Sequence, residues 1–221
     1  MMPLPTDLEA ALAELPIFPL PQTVLFPGAL LRLHVFEPRY RAMTRDCLAG
    51  NRAMAIARIR DDARRDGKGL PAIEQVAGLG VIIEHTELPD GRYHLLLLGR
   101  ERVRLDELPF VAPYRRARAT VLASSEAEPR AVDVSALQHT AAIFAADIRA
   151  RDPGFDFSLP PIASPGAAVD LAAHHLVLDA CDRQALLETL DVSARVQKTV
   201  ELLAAQHAAL SRCGAHARLV N

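Results

Sequence analysis

Two hydrophobic periods divide this chain. In the first half apolar residues recur every second position, as in strands with one face buried. Leu31, Leu33 and Val35 alternate with Arg32 and His34, and Val103 and Leu105 alternate with Arg102 and Arg104. The pattern predicts strands at Ala53 to Ile59, Val76 to Glu84, Tyr93 to Leu98, around Val103, and Tyr114 to Leu122. The run HLLLLG is apolar on both faces, which suits a central strand, and Gly99 marks a bend. Leu88-Pro-Asp-Gly91 has proline early and glycine last, as a turn requires. Two helices interrupt this half. Thr6 and Glu9 form a capping box for a short one, and Pro38 opens another carrying Tyr40, Met43 and Cys47 at helical spacing.

After SSEAEPR, Ser124 to Arg130, the period becomes 3.6. Leu137, Ala141, Phe144 and Ile148 form one stripe of a helix over Val134 to Ala150. Ser164-Pro165 is an N-cap followed by proline at the first helical position, and Asp179 and Asp191 can cap two more helices. The last carries Val192, Val196, Val200 and Leu203 on one face. The fold class is therefore α+β: a β-rich domain over residues 1–123, a linker over 124–133, and a bundle of about four helices over 134–221.

One segment fits neither period. LPIFPLPQTVLFPG, Leu15 to Gly28, contains Pro16, Pro19, Pro21 and Pro27 among large apolar residues. Proline fixes φ and removes a donor, which excludes a helix and disfavours a strand paired on both sides. The apolar content is too high for a solvated proline-rich tract. Two extended pieces follow, Ile17 to Leu20 and Val24 to Phe26, with a turn at Pro27-Gly28.

Composition narrows the chemistry. Half of the residues are hydrophobic and the net charge is −2, so no overall field draws the chain to nucleic acid or acidic lipid. Cys47, Cys181 and Cys213 are scattered and no CxxC occurs, which fits a reducing cytoplasm. No apolar run reaches the length of a membrane span, and the acidic start does not read as a signal peptide. Gly67-Lys68-Gly69 lacks the spacing and hydroxyl of a phosphate loop, and Ile83 stands where a dinucleotide fingerprint after Gly78 and Gly80 needs glycine. His174-His175 diverge around a helix, so they do not form a metal pair. Asp170 and His174 have the spacing of a weak surface pair. Arg60 to Gly69 reads as a solvated loop. Arg100, Arg102 and Arg104 share one face of a strand, which is either a solvated face or a phosphate-holding one. No catalytic residue, cofactor site or metal site emerges.

LPIFPLPQTVLFPG, LHVFEPRYRAM, GLGVIIEHTELPDGRYHLLLLGRERVRL and PYRRARATV together resemble the N-terminal, substrate-binding domain of the Lon protease family, and DRQALLETLDVSARVQKTVELL resembles its closing helices. The resemblance implies a pseudo-barrel like the PUA fold, followed by helices. It implies the substrate-recognition part without the ATPase and Ser-Lys protease modules, hence a non-catalytic, stand-alone module that engages a polypeptide client or partner protein. Pro19, Phe26, Pro27, Gly28, Glu37, Arg39, Gly91 and Gly99 match as turn, cap and core positions. An RNA-binding module, by analogy with PUA-like folds, is the alternative; fold analogy is a weak warrant, and the near-neutral charge weighs against it.

The candidate peptide-binding residues are Phe155, Phe157, Leu159 and Ile162, large apolar groups in the proline-containing loop GFDFSLPPI. Residues 155, 157 and 159 fall on one side of an extended segment. They either cover apolar surface of the helices or of the seam between domains, or form a docking surface for polypeptide.

Overall fold

The structure is a computed structural model, and it describes residues 6–61, 69–125, 128–160 and 164–219. The side chain of Thr6, most of the loop between Arg60 and Gly69, two residues of the expected linker, Ile162 and the side chain of Cys213 lie outside the described residues. The chain divides into two compact units, Met1–Ala123 and Ser124–Asn221.

The first unit contains helices α1 (Thr6–Ala11) and α2 (Pro38–Ala49) and strands β1 (Leu15–Leu20), β2 (Leu30–Val35), β3 (Ala53–Arg58), β4 (Val76–Glu87), β5 (Tyr93–Glu107) and β6 (Arg116–Leu122). Strands β1, β3, β4, β5 and β6 close into a ring: β1 runs parallel to β3, and the pairs β3–β4, β4–β5, β5–β6 and β6–β1 are antiparallel. Closure removes the edges that an open sheet would expose. All six residues of β3 are buried, as a strand in the middle of such a ring should be.

The prolines of β1 are tolerated because neither of them is paired on both sides. Leu15 and Pro16 pair with β6, and Ile17 to Leu20 pair with β3. The second extended piece, Val24 to Phe26, is not a strand. It is irregular, and its three side chains are buried. Its main chain passes so close to β4 and β5 that a Cβ on Gly78 would collide with the Leu25 carbonyl oxygen, and one on Gly99 with the Phe26 carbonyl oxygen. The crossing is tied down by Gly28 N–H to Gly99 O at 2.9 Å and Gly99 N–H to Ala29 O at 2.8 Å.

Two sequence expectations change here. The strands expected before and after Gly99 form a single strand of 15 residues. Its first half pairs with β2, its second half with β6, and β4 accompanies both. The expected face of Arg100, Arg102 and Arg104 does not form. The register skips a residue at Arg100, so alternation breaks, and Arg102 is only 3% exposed, its guanidinium 5.7 Å from the centre of the Phe26 ring.

The core of this unit joins Leu8 and Ala11 of α1 to Leu15, Ile17, Leu79, Val103 and Leu105. Helix α2 buries Tyr40, Met43, Thr44 and Cys47, and the Tyr40 ring lies 4.4 Å from that of Phe18. Burial pushes the Cys47 thiol pKa up to about 12, so it behaves as a small apolar group there.

The second unit has four helices, α3 (Ala131–Arg151), α4 (Pro165–Leu176), α5 (Ala180–Glu188) and α6 (Val192–Leu219). Ser164, Asp179 and Asp191 cap α4, α5 and α6 through their side chains. Leu137, Val169, Ala172, Val192 and Val196 make the apolar core. Within it lies a fully buried Arg195, whose Nε sits 2.9 Å from Asp170 Oδ1. Arg195 also donates to the Thr189 carbonyl and, at 3.2 Å, to Ser124 Oγ. Asp170 is thus buried, not the surface partner expected for His174. Ser124 and Ser125 belong to this unit: Ser125 N–H donates to Leu190 O, and its hydroxyl donates to Asp191. Among the described residues no helix is long and apolar enough to cross a membrane, and no group of three or more His, Cys, Asp or Glu could hold a metal ion.

Two outcomes are expected. Gly78→Ala should destabilise the chain by about 1–3 kcal/mol, since main chain must move to make room. Gly80→Ala should cost less, because the atoms it meets are leucine side chains. Urea denaturation of the two variants measures the difference. Asp170→Ala should cost about 3–5 kcal/mol, and the double variant Asp170→Leu with Arg195→Met should recover much of that loss, because an unpaired buried charge is worse than none. Denaturation curves check this ordering.

Candidate functional site

The loop after α3 folds back along its own helix. Asp152 accepts from Gly154 N–H at 3.0 Å, and Phe155 N–H donates to Asp152 O at 3.0 Å, which turns the chain. Arg149, in the last turn of α3, then donates to the carbonyls of Phe155 at 3.4 Å and Phe157 at 3.2 Å. A cation near a helix C-terminus is favourably placed, and this one fastens the returning segment to α3.

The three described candidates take different positions. Phe157 is buried, with its ring 4.8 Å from that of His175 on α4. Leu159 is half-buried against the helical core. Phe155 is half-buried, 6.5 Å from the Phe157 ring. Phe157 and Leu159 line a groove of about 410 Å³, together with Ser158, Pro160 and the α3 residues Gln138, Ala141, Ala142, Ala145 and Arg149. Phe155 is not among the groove's lining residues, and Ile162 lies outside the described residues.

The groove has an apolar floor because α3 presents alanines where a larger residue would fill the space. Ala141 and Ala145 are buried, while Ala142 remains exposed. Gln138 and Arg149 supply polar ends. The volume lies at the lower end of the range for ligand clefts, and the described lining residues do not pair a nucleophile with a base. The chemistry on offer is apolar contact with hydrogen bonds at the rim. His175 keeps an exposed edge while Phe157 crowds its ring; the displaced water holds its pKa below the ordinary imidazole value. None of the α3 positions of this groove was a candidate site residue from sequence, where Ala141 figures only in the helix stripe. The signal available was the small-residue run AAIFAA, Ala141 to Ala146, on a helix otherwise striped with large residues.

Residues 14–205 match the model of the ATP-dependent protease La (LON) substrate-binding domain. The chain belongs to that family. Among its relatives, the Lon protease of Trichlorobacter lovleyi is 30% identical over 207 residues, covering 89% of this chain and 24% of its own length. The Lon protease of Roseiflexus castenholzii is 28% identical over 208 residues, covering 91% of this chain and 25% of its own. This chain therefore spans about a quarter of the length of the curated relatives it matches. Two solved structures share the fold. A Lon N-terminal domain protein from Xanthomonas campestris aligns with TM-score 0.62 at 24% identity over 86% of this chain and 98% of that one. The N-terminal domain of a Mycobacterium avium complex Lon protease aligns with TM-score 0.61 at 16% identity over the same shares. The α+β architecture of this family member, a β unit followed by helices, is thus the fold of Lon N-terminal domains.

The positions of the two phenylalanines separate their energetic roles. Phe157→Ala should destabilise the chain by about 3–5 kcal/mol, as for a buried ring. Phe155→Ala should cost well under half of that. Thermal and urea denaturation of the single variants check it; equal losses would contradict the placement.

Proposed function

We propose that this chain is a non-catalytic polypeptide-binding module that holds extended or unfolded segments of a client or partner protein in the cytoplasm. The observation that carries this reading is the match of residues 14–205 to a substrate-binding domain. The groove beside Phe157 and Leu159 supports the reading, with a floor of alanine side chains and polar ends at Gln138 and Arg149. Such a lining takes apolar side chains of a client without selecting one sequence, since apolar contact is non-directional. Work on the client would then belong to other modules, and the contribution of this chain would be capture.

Fluorescein-labelled β-casein, an unfolded polypeptide, provides the test. The chain should bind it without cleaving it. Ala142→Glu puts a carboxylate into the groove from an exposed helix position, so the fold should keep its melting temperature. Binding should weaken on the order of tenfold, the cost of facing apolar side chains with a charge. Casein binding that ignores Ala142→Glu removes the groove from the proposal, and absence of binding removes the proposal itself.

A further inference from the structure

The ring of strands in the first unit closes, but β2 stays outside it. Its only partner among the described residues is the first half of β5, with Leu30 opposite Leu98 and Val35 opposite Tyr93. Gly99 N–H donates to Ala29 O, so alternation turns the main-chain groups of Leu31, Leu33 and Val35 toward β5. Those of Leu30, Arg32 and His34 then face away from the sheet. An edge of this kind is a template for another strand, and proteins usually shield it.

Among the described residues this edge is furnished rather than shielded. Leu30 is 50% exposed at one end of β2 and Phe36 is 60% exposed just past the other. Between them lie the exposed Arg32 and His34. The Phe36 ring stacks on that of His34 at 6.0 Å, and His34 lies 4.9 Å from His94 on β5. The Arg92 guanidinium, 3.2 Å from His34 Nε2, is engaged by Asp90. Arg32 has no ion pair among the described residues. Glu84 shares its row, but Leu96 stands between them, which puts the two strands about 9–10 Å apart.

We infer that β2 is a docking edge for an extended segment of client polypeptide, which adds antiparallel to it as a further strand with apolar side chains beside Phe36 and Leu30 and an acidic one beside Arg32. This rests on the reading of the chain as a polypeptide binder and supplies a second point of capture, on the β unit. Main-chain hydrogen bonds give such pairing its affinity, and alternate side chains its selectivity. A second copy fits less well: two antiparallel β2 edges that set Leu30 against Phe36 also set Arg32 against His34, with no acid on either side.

The probe is the peptide acetyl-LQTQEQL-amide, in which the leucines match Phe36 and Leu30 and the glutamate matches Arg32. Added to the full chain labelled with ¹⁵N, it should protect the amides of Leu30, Arg32 and His34 from hydrogen exchange. N-methylation at its third and fifth residues should abolish binding, whereas N-methylation at its fourth and sixth should spare it. Arg32→Glu should weaken binding on the order of tenfold, and a lysine in place of the peptide glutamate should restore it. Equal loss from both methylation patterns, or no protection at those three amides, overturns the inference. So does protection that grows with protein concentration without peptide, which assigns the edge to a second copy. Casein captured without protection of these amides leaves the general reading standing and removes only the edge. Peptide binding of the expected parity without casein binding keeps strand addition at the edge and removes the capture of unfolded polypeptide proposed above.

Discussion

The main chain at Leu25 and Phe26 rests directly on the main chain of two strands, at Gly78 and Gly99, and the architecture of the first unit depends on that contact. Backbone can approach backbone this closely only where a Cβ is missing. The approach lets Leu25 and Phe26 bury completely without belonging to the sheet. It also fixes where β5 bends, because Gly99 exchanges hydrogen bonds with Gly28 and Ala29 at the crossing. Beyond that point β5 serves β6, and before it β5 serves β2. The crossing thus decides which strands close the ring and which one is left outside.

Much of this could be read from sequence, because local rules and tertiary structure agree. Period-2 and period-3.6 segments became strands and helices, and the caps at Ser164, Asp179 and Asp191 were legible from residue type alone. The discrepancies share a cause. Val24 to Phe26 looks like a strand because its residues are apolar and β-prone, yet proline on both sides leaves no room for a ladder. Arg102 looks solvated because its neighbours alternate, yet one skipped residue at Arg100 turns it inward. Register is a property of two strands, so a single strand does not announce it.

The candidate groove was half legible for a similar reason. Phe157 and Leu159 drew attention as large apolar groups in a loop. The space they border exists because of what Ala141, Ala142 and Ala145 lack, and small residues give no hydropathy signal of a cavity. Arg149 was invisible as a site residue because its hydrogen bonds go to carbonyls, which every residue carries. Asp170 was misplaced because spacing along α4 said nothing about α6, where Arg195 sits between Val192 and Val196 on the buried face.

The reach of Arg195 also sets a boundary for dissection. Periodicity alone would start the helical unit at Val134. The buried guanidinium, however, takes its third acceptor from Ser124, and Ser125 ties the start of α6 through Asp191 and Val192. A fragment cut at the first helix would lose both serines and leave one donor of a fully buried cation facing an empty place. The serines before the helices are part of that unit's interior, and an autonomous fragment has to begin with them.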